Sequence, residues 1–373
     1  MNNIISNMYN YICETPIVLK KMIENRKEIT KEFVEYYKEK NIEQIYIIGS
    51  GTSYHAGLSA KVFLEEILGK KVFCMYPTQF ARAEKVFNKN TLVIGVSQGG
   101  QSLSTVEGLD SAIKNELFTA AVSENPTALI FKHSRTKTLI EVGNEKCGAK
   151  TKGFAGTTLT LMLMIIELLS AKKELDNTKI DEYFSRMEKV IGNMENVIKT
   201  STKWFEKIGK ELISAKRIIV VGYENNYADV LEGALKILET VRQGVTGYDI
   251  EEFFHGIYNS INDDTYIFYL ASEGDYKERT QKLVQILSEW TPYNYMITSP
   301  QNVKKYTERD LICQFTEDKL FGQWEYIIPL QIVSCLGAKQ LGINPDIPKD
   351  PNFHRRIGSK KLDGIRDQYT LEK

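Results

Sequence analysis

The stretch TLVIGVSQGGQSLST, residues 91–105, decides the fold. Residues 92–96 form a short apolar run and read as a strand buried on both faces. The run passes straight into Ser97, Gln98, Gly99, Gly100, Gln101 and Ser102, and a helical pattern follows from about 104 to 114. A strand, a Gly/Ser loop and a helix N-terminus aim backbone N–H groups and a positive dipole end at one point. Gly99 and Gly100 are expected to let the backbone come close to a ligand, while Ser97, Ser102 and Ser104 add hydroxyl donors. In open α/β sheets, ligands settle at the carboxyl ends of the strands, which is where this loop falls.

The same grammar continues on either side. IYIIGSGTSYHAGLSAKVFLEEILGKKVFCMYP gives a strand at 45–48, the turn GSGTS, a helix to about 68 and a strand at 72–75. FTAAVS and KTLIEV supply further strands, and VLKKMIENRKEITKEFVEYYKEKN precedes them as a helical segment with a charged face. Strands alternating with helices predict a parallel sheet covered on both faces. The pattern then returns: Gly222 answers Gly49, and TYIFYLASEG answers TLVIGVSQGG at nearly the same offset. The reading is a duplicated α/β unit. Residues 1–40 are an N-terminal helical segment, 41–174 the first domain, 175–205 a helical connector, 206–345 the second domain and 346–373 a C-terminal tail.

The duplication is asymmetric. The first half carries Ser50, Thr52, Ser53, Ser97, Ser102 and Ser104 at its strand ends, whereas the second carries Glu224 and Glu273. A carboxylate repels an anionic ligand, so the first half alone is read as a phosphate cradle. Neither loop is a Walker A motif, and GSGTSY lacks the spacing of a dinucleotide fingerprint.

Composition narrows the class. At 373 residues, 42% hydrophobic and 26% charged, the chain has the make-up of a globular protein of about two domains. Its 48 basic and 48 acidic side chains cancel, so no overall field favours nucleic acid or an anionic membrane. Cys13, Cys74, Cys147, Cys313 and Cys335 are scattered without a CxxC pair, which argues for a reducing compartment and against a zinc site. No metal or nucleotide cofactor is expected. The N-terminus has no signal-peptide pattern, and the apolar run LTLMLMIIELL, broken by Glu167, reads as a core helix. A cytoplasmic location is the expectation.

Taken in order, YICETP at 11–16, GSGTS, SQGGQS, GAKTKGF, LEGALKILET, EFFHG and the tail resemble the tandem sugar-isomerase (SIS) domain family. The likeness is to the isomerase half of glucosamine-6-phosphate synthase and to fructosamine-6-phosphate deglycases. It implies two doubly wound, mainly parallel, flavodoxin-like α/β sandwich domains related by duplication. It also implies a sugar phosphate held by Gly51, Thr52, Ser53, Ser97, Gln98, Gly100 and Ser102, with Lys150 and Lys236 as further contacts. Gly99 stands where the family pattern has a second serine, Gln101 replaces an acidic residue, Ser102 replaces threonine and Lys150 replaces serine.

In LEGALKILET, Glu232, Lys236 and Glu239 share one helix face, a spacing that an ordinary surface ion pair would also produce. Moving a proton between C1 and C2 of an open-chain ketose needs a carboxylate base and a proton donor. The resemblance assigns these roles to Glu239 and His255, spaced as in the family, with the histidine reaching a neighbouring subunit and hence a homodimer. His55 reads as a cap or surface residue and His133 as part of a polar loop. His354, Arg356 and Lys360 are held in reserve, because the synthase pattern carries an essential lysine in this tail; Glu232 is a further reserve. An arginine at 356 cannot form a Schiff base, since it stays protonated. The expected activity is deglycation of a fructosamine 6-phosphate to glucose 6-phosphate and a free amine. The alternatives are a synthase-like aminosugar isomerase or deaminase without a glutaminase domain, and a non-catalytic phosphosugar sensor.

Overall fold

The computed structural model describes residues 6–303 and 305–362. The chain begins with α1 (Met8–Glu24), α2 (Arg26–Tyr37), β1 (Gln44–Ile48), α3 (Thr52–Leu68), β2 (Lys71–Met75) and α4 (Pro77–Ala83). It continues through β3 (Thr91–Val96), α5 (Leu103–Lys114), β4 (Phe118–Ser123), β5 (Thr136–Leu139), α6 (Lys152–Lys172) and α7 (Asn177–Leu212). Then come β6 (Arg217–Gly222), α8 (Tyr227–Thr240), β7 (Gly244–Asp249), α9 (Ile250–Phe254), β8 (Thr265–Ala271) and α10 (Lys277–Leu287). Last are β9 (Asn294–Thr298), β10 (Leu311–Ile312), α11 (Gln323–Gln340) and α12 (Phe353–Ile357).

Two compact units result. Among the described residues, the first-sheet unit takes Ile17–Lys146, Lys152–Ser185 and 350–362; the second-sheet unit takes 6–16, Cys147–Thr151 and the described part of 186–349. Two of the five unit boundaries fall inside helices, in α1 and α7.

The first sheet has the order β2-β1-β3-β4-β5, with every neighbour parallel. All of β3 is buried, as a strand covered on both faces must be. On one face Tyr46, Phe80, Val93, Leu109 and Ile130 form a core cluster, each burial contributing roughly 1.5–3 kcal/mol. On the other, α6 packs against α2 and α3. α6 is long and apolar enough to cross a membrane by length and composition, but 83% of its most apolar window is buried in the protein. Its single acidic residue, Glu167, accepts from Arg26 Nε at 2.9 Å, which is how an apolar helix tolerates it.

The second sheet has the order β10-β9-β8-β6-β7, again parallel throughout. Read from β7, this is the strand order of the first sheet repeated. α8 lies against α11, where Gly233 is required: a Cβ there would stand 2.1 Å from Leu330 Cδ1.

Candidate functional site

In the first sheet, β1 and β3 are neighbours whose connections leave to opposite sides. Their carboxyl ends form the crevice where ligands settle in this kind of sheet. After β1, Gly51 (φ 56°) is the N-cap of α3, Thr52 opens the helix and Ser53 is buried. After β3, Ser97 and Gln98 are buried and Ser102 caps α5, its hydroxyl accepting from Thr105 N and lying 3.1 Å from Ser104 Oγ. The two glycines divide the work. Gly100, at φ 73°, turns the chain tightly enough that a Cβ would lie 2.2 Å from Ala128 Cβ; Gly99 has open space around its Cα. Gly100 N–H is committed to Ser97 O at 2.9 Å, so the close-approach role expected of both glycines falls to Gly99.

The Gln98 side chain is fastened to the neighbouring strand end. Its Nε2 donates to Glu124 Oε2 at 2.8 Å, and its amide lies over Gly153 in the first turn of α6. Glu124 follows β4 directly, so a carboxylate stands among the strand ends of the half that reads as free of them.

The tail is part of this unit. Ser102 and Lys360 form an antiparallel bridge, with Leu103 N–H donating to Ser359 O at 3.2 Å and Lys361 N–H to Gln101 O at 3.1 Å. One N-terminal donor of α5 is thereby used by the tail. His354 Nδ1 lies 2.8 Å from Ser359 Oγ, and burial followed by the Lys360 ammonium holds the imidazole below its ordinary pKa. Arg356 is exposed and paired with Asp350. His55, expected at the surface, is buried: α3 is packed along α6, and the ring sits edge-on to Tyr54. His133 is paired with Asp110 at 2.7 Å.

The corresponding strand ends of the second sheet are closed. Glu317 accepts from Asn302 Nδ2, Tyr326 Oη and Glu273 N at 2.7, 2.8 and 2.9 Å, and Asn226 donates to Ser272 Oγ at 2.8 Å. The cavity lined by Glu224, Ser272, Glu273 and Glu317 holds about 40 Å³, room for a water or so and not for a sugar.

In the same unit, α8 carries a ladder of charge. Asp229, Glu232 and Lys236 are fully buried, while Glu239 keeps 35% of its side chain exposed. Lys236 Nζ stands 2.6 Å from Glu239 Oε2 and 3.4 Å from Glu232 Oε1. Burial alone would push the Lys236 ammonium down, but these two carboxylates outweigh it and hold its pKa above the ordinary value. Burial, and then the Glu232 charge, raise the Asp229 carboxyl well above the usual range. Neither Asp229 oxygen has a hydrogen-bond partner among the described residues. His255 caps the C-terminus of α9, largely exposed, with Glu251 Oε1 at 3.6 Å. Among the described residues no hydrogen bond or ion pair joins it to Glu239. Lys150, half-buried, lies in Cys147–Thr151, where Gly148 N–H donates to Asp346 O.

The first-sheet unit thus brings together Gly51, Thr52, Ser53, Ser97, Gln98, Gly100, Ser102, His354, Arg356 and Lys360. Glu232, Lys236, Glu239, His255 and Lys150 belong to the second-sheet unit. Glu124 and Gly153 were not singled out from the sequence. The one signal for Glu124 is its place immediately after a predicted strand; Gly153 lies within the motif GAKTKGF, where no role was given to it.

Comparison with known proteins gives a consistent picture. A SIS domain model matches residues 37–168. A structure described as a phosphosugar isomerase from Clostridium difficile is 36% identical, covers 95% of this chain and 99% of its own, and superposes with a TM-score of 0.88. A sugar-binding protein from Salmonella typhimurium is 31% identical over 88% of this chain and 99% of its own, with a TM-score of 0.79. Glutamine–fructose-6-phosphate aminotransferase (isomerizing) from Buchnera aphidicola is 27% identical over 358 residues, or 92% of this chain. The chain spans only 57% of that relative's length.

Proposed function

The chain belongs to the SIS-domain family, and from that premise we propose that it is a phosphosugar enzyme that deglycates a fructosamine 6-phosphate. The observation that carries this reading is the crevice at the ends of β1 and β3. Thr52 and Ser53 lie in the first turn of α3, Ser97 follows β3 and Ser102 caps α5, whereas the cavity at the corresponding strand ends of the second sheet has room for a water or so. Neutral donors of this kind suit the ester group of a sugar phosphate.

In the proposed reaction Glu239 removes the C1 proton of the open-chain ketoamine, and His255 protonates the carbonyl or ring oxygen. Protonation of the enaminol at C2 gives an imine at C1; water adds to C1, and the amine leaves with a proton to give glucose 6-phosphate. Lys236, locked at 2.6 Å, fixes the orientation of the base. His255, exposed on its own chain, is proposed to serve a site in a second copy, which makes the working form a homodimer.

A second reading, an aminosugar isomerase or deaminase, is favoured by Lys360 lying beside Ser102 and by the aminotransferase relatives. The two part on one assay. Purified protein is given a panel of fructosamine 6-phosphates, and glucose 6-phosphate release is followed by a coupled dehydrogenase. Steady release supports deglycation. No release, together with glucosamine 6-phosphate formed from fructose 6-phosphate and ammonia and lost in Lys360→Met, would replace it with the second reading.

A further inference from the structure

We propose that Gln98, Glu124 and Gly153 form a latch that sets the shape of the SQGGQS loop, with Glu124 as the positioning residue that determines how tightly the loop takes a phosphate. This deepens the proposed function and rests on the reading of that loop as a phosphate cradle.

Three bonds fasten Gln98 to the last residue of β4 and the residue after it. Its side-chain Nε2 reaches Glu124 Oε2 at 2.8 Å, and its main-chain oxygen accepts from Ser123 Oγ at 2.8 Å and Glu124 N at 3.0 Å. The loop is therefore held by backbone and side chain at once, at the residue next to Gly99. Gly153 provides the space: a Cβ there would lie 1.8 Å from Gln98 Nε2, 2.5 Å from Cδ and 2.6 Å from Oε1. Any side chain at 153 evicts the Gln98 amide. The keyhole itself is anchored, because Gly153 N–H donates to Oε2 of the buried Glu145 at 3.1 Å.

One atom is left over. Gln98 is 7% exposed, and its Oε1 is buried with no hydrogen-bond partner among the described residues. A buried acceptor without a donor is costly, so the latch holds Gln98 in a state that a ligand hydroxyl or a water would complete.

Glu124 acts on the loop in two opposing ways. Its hydrogen bond holds the loop in shape, which favours binding. Its negative charge beside a cradle for a dianion disfavours binding. Two substitutions separate the effects. Glu124→Gln keeps an acceptor for Gln98 Nε2 and removes the charge; Glu124→Ala removes both. The expected result is that glucose 6-phosphate binds roughly threefold tighter to Glu124→Gln and about tenfold weaker to Glu124→Ala. A merely structural Glu124 would move both variants the same way.

The test has two arms. In ligand-free protein, urea unfolding of Gln98→Ala, Glu124→Ala and the double variant measures the coupling directly. The latch predicts that the double variant is no less stable than the weaker single one, and that Gly153→Ala likewise cancels the effect of Glu124→Ala. Strictly additive losses would overturn it. In the second arm, calorimetric titration with glucose 6-phosphate compares wild type, Glu124→Gln and Glu124→Ala. Opposite shifts support the role given to Glu124, and equal or same-signed shifts overturn it. If wild type itself takes no glucose 6-phosphate, the cradle reading and the affinity role fall together, while the unfolding cycle still judges the latch.

Discussion

Glu239 and His255 are expected to carry the proton traffic, and substitution tests this without disturbing the cradle. Glu239→Gln and His255→Asn should each lower kcat by about 10²–10⁴-fold. Glucose 6-phosphate should still raise the melting temperature of both variants, because the ester group is held elsewhere. Lys236 is a different case. Lys236→Met removes the buried ammonium that faces both Glu232 and Glu239 and should cost about 3–5 kcal/mol in urea unfolding. Asp229 pulls the other way. Its folded pKa is raised, so the unfolded chain releases its proton first, and stability falls as pH rises from near 3.8 toward the folded value. Asp229→Asn removes that loss and should unfold at higher urea than wild type at neutral pH, with the gap closing below about pH 4. At this scale the sequence was readable where spacing repeats, as in the i, i+4, i+7 face of α8. It was silent on Glu124, whose pairing with Gln98 joins the ends of neighbouring strands and leaves no mark along the chain.

At the scale of elements, the strands and the Gly/Ser turns were legible because each is a local signal: an apolar run, then small residues, then a helical period. β3 falls at Thr91–Val96 and α5 at Leu103–Lys114, within a residue of their sequence readings. α4 was not anticipated, since PTQFARA carries no repeat long enough to register. The docking of the tail onto the loop was equally hidden, because it is made by backbone groups that any sequence possesses. Two predictions belong here. Gly100→Ala should destabilise the protein by about 1–3 kcal/mol and abolish sugar-phosphate binding, because φ 73° and the contact with Ala128 both exclude a side chain. Gly99→Ala, in open space, should leave stability within about 0.5 kcal/mol of wild type. Lys361→Pro deletes the N–H that holds the tail to Gln101, while Lys361→Ala keeps it. Only the proline variant should show faster protease clipping near residue 360 and weaker glucose 6-phosphate binding.

For the whole molecule, the repeated sheet order is the duplication that the echo of Gly49 in Gly222 foretold. The interleaving of the units was not foretold, because short excursions such as Cys147–Thr151 are decided by tertiary packing. If the working enzyme is a homodimer in which His255 serves its neighbour, mixing Glu239→Gln with His255→Asn chains should restore activity that neither variant has alone; failure to complement would place both residues in one chain's site. The account's central claim is that neutral donors at the ends of β1 and β3 grip a sugar's phosphate. The most direct measurement is calorimetric titration of glucose 6-phosphate, with glucose as the control, into wild type and into Ser97→Ala/Ser102→Ala. The account predicts saturable binding at one site per chain, absent with glucose and lost in the double variant. Binding that is undiminished in the double variant, or no binding by wild type, would contradict it.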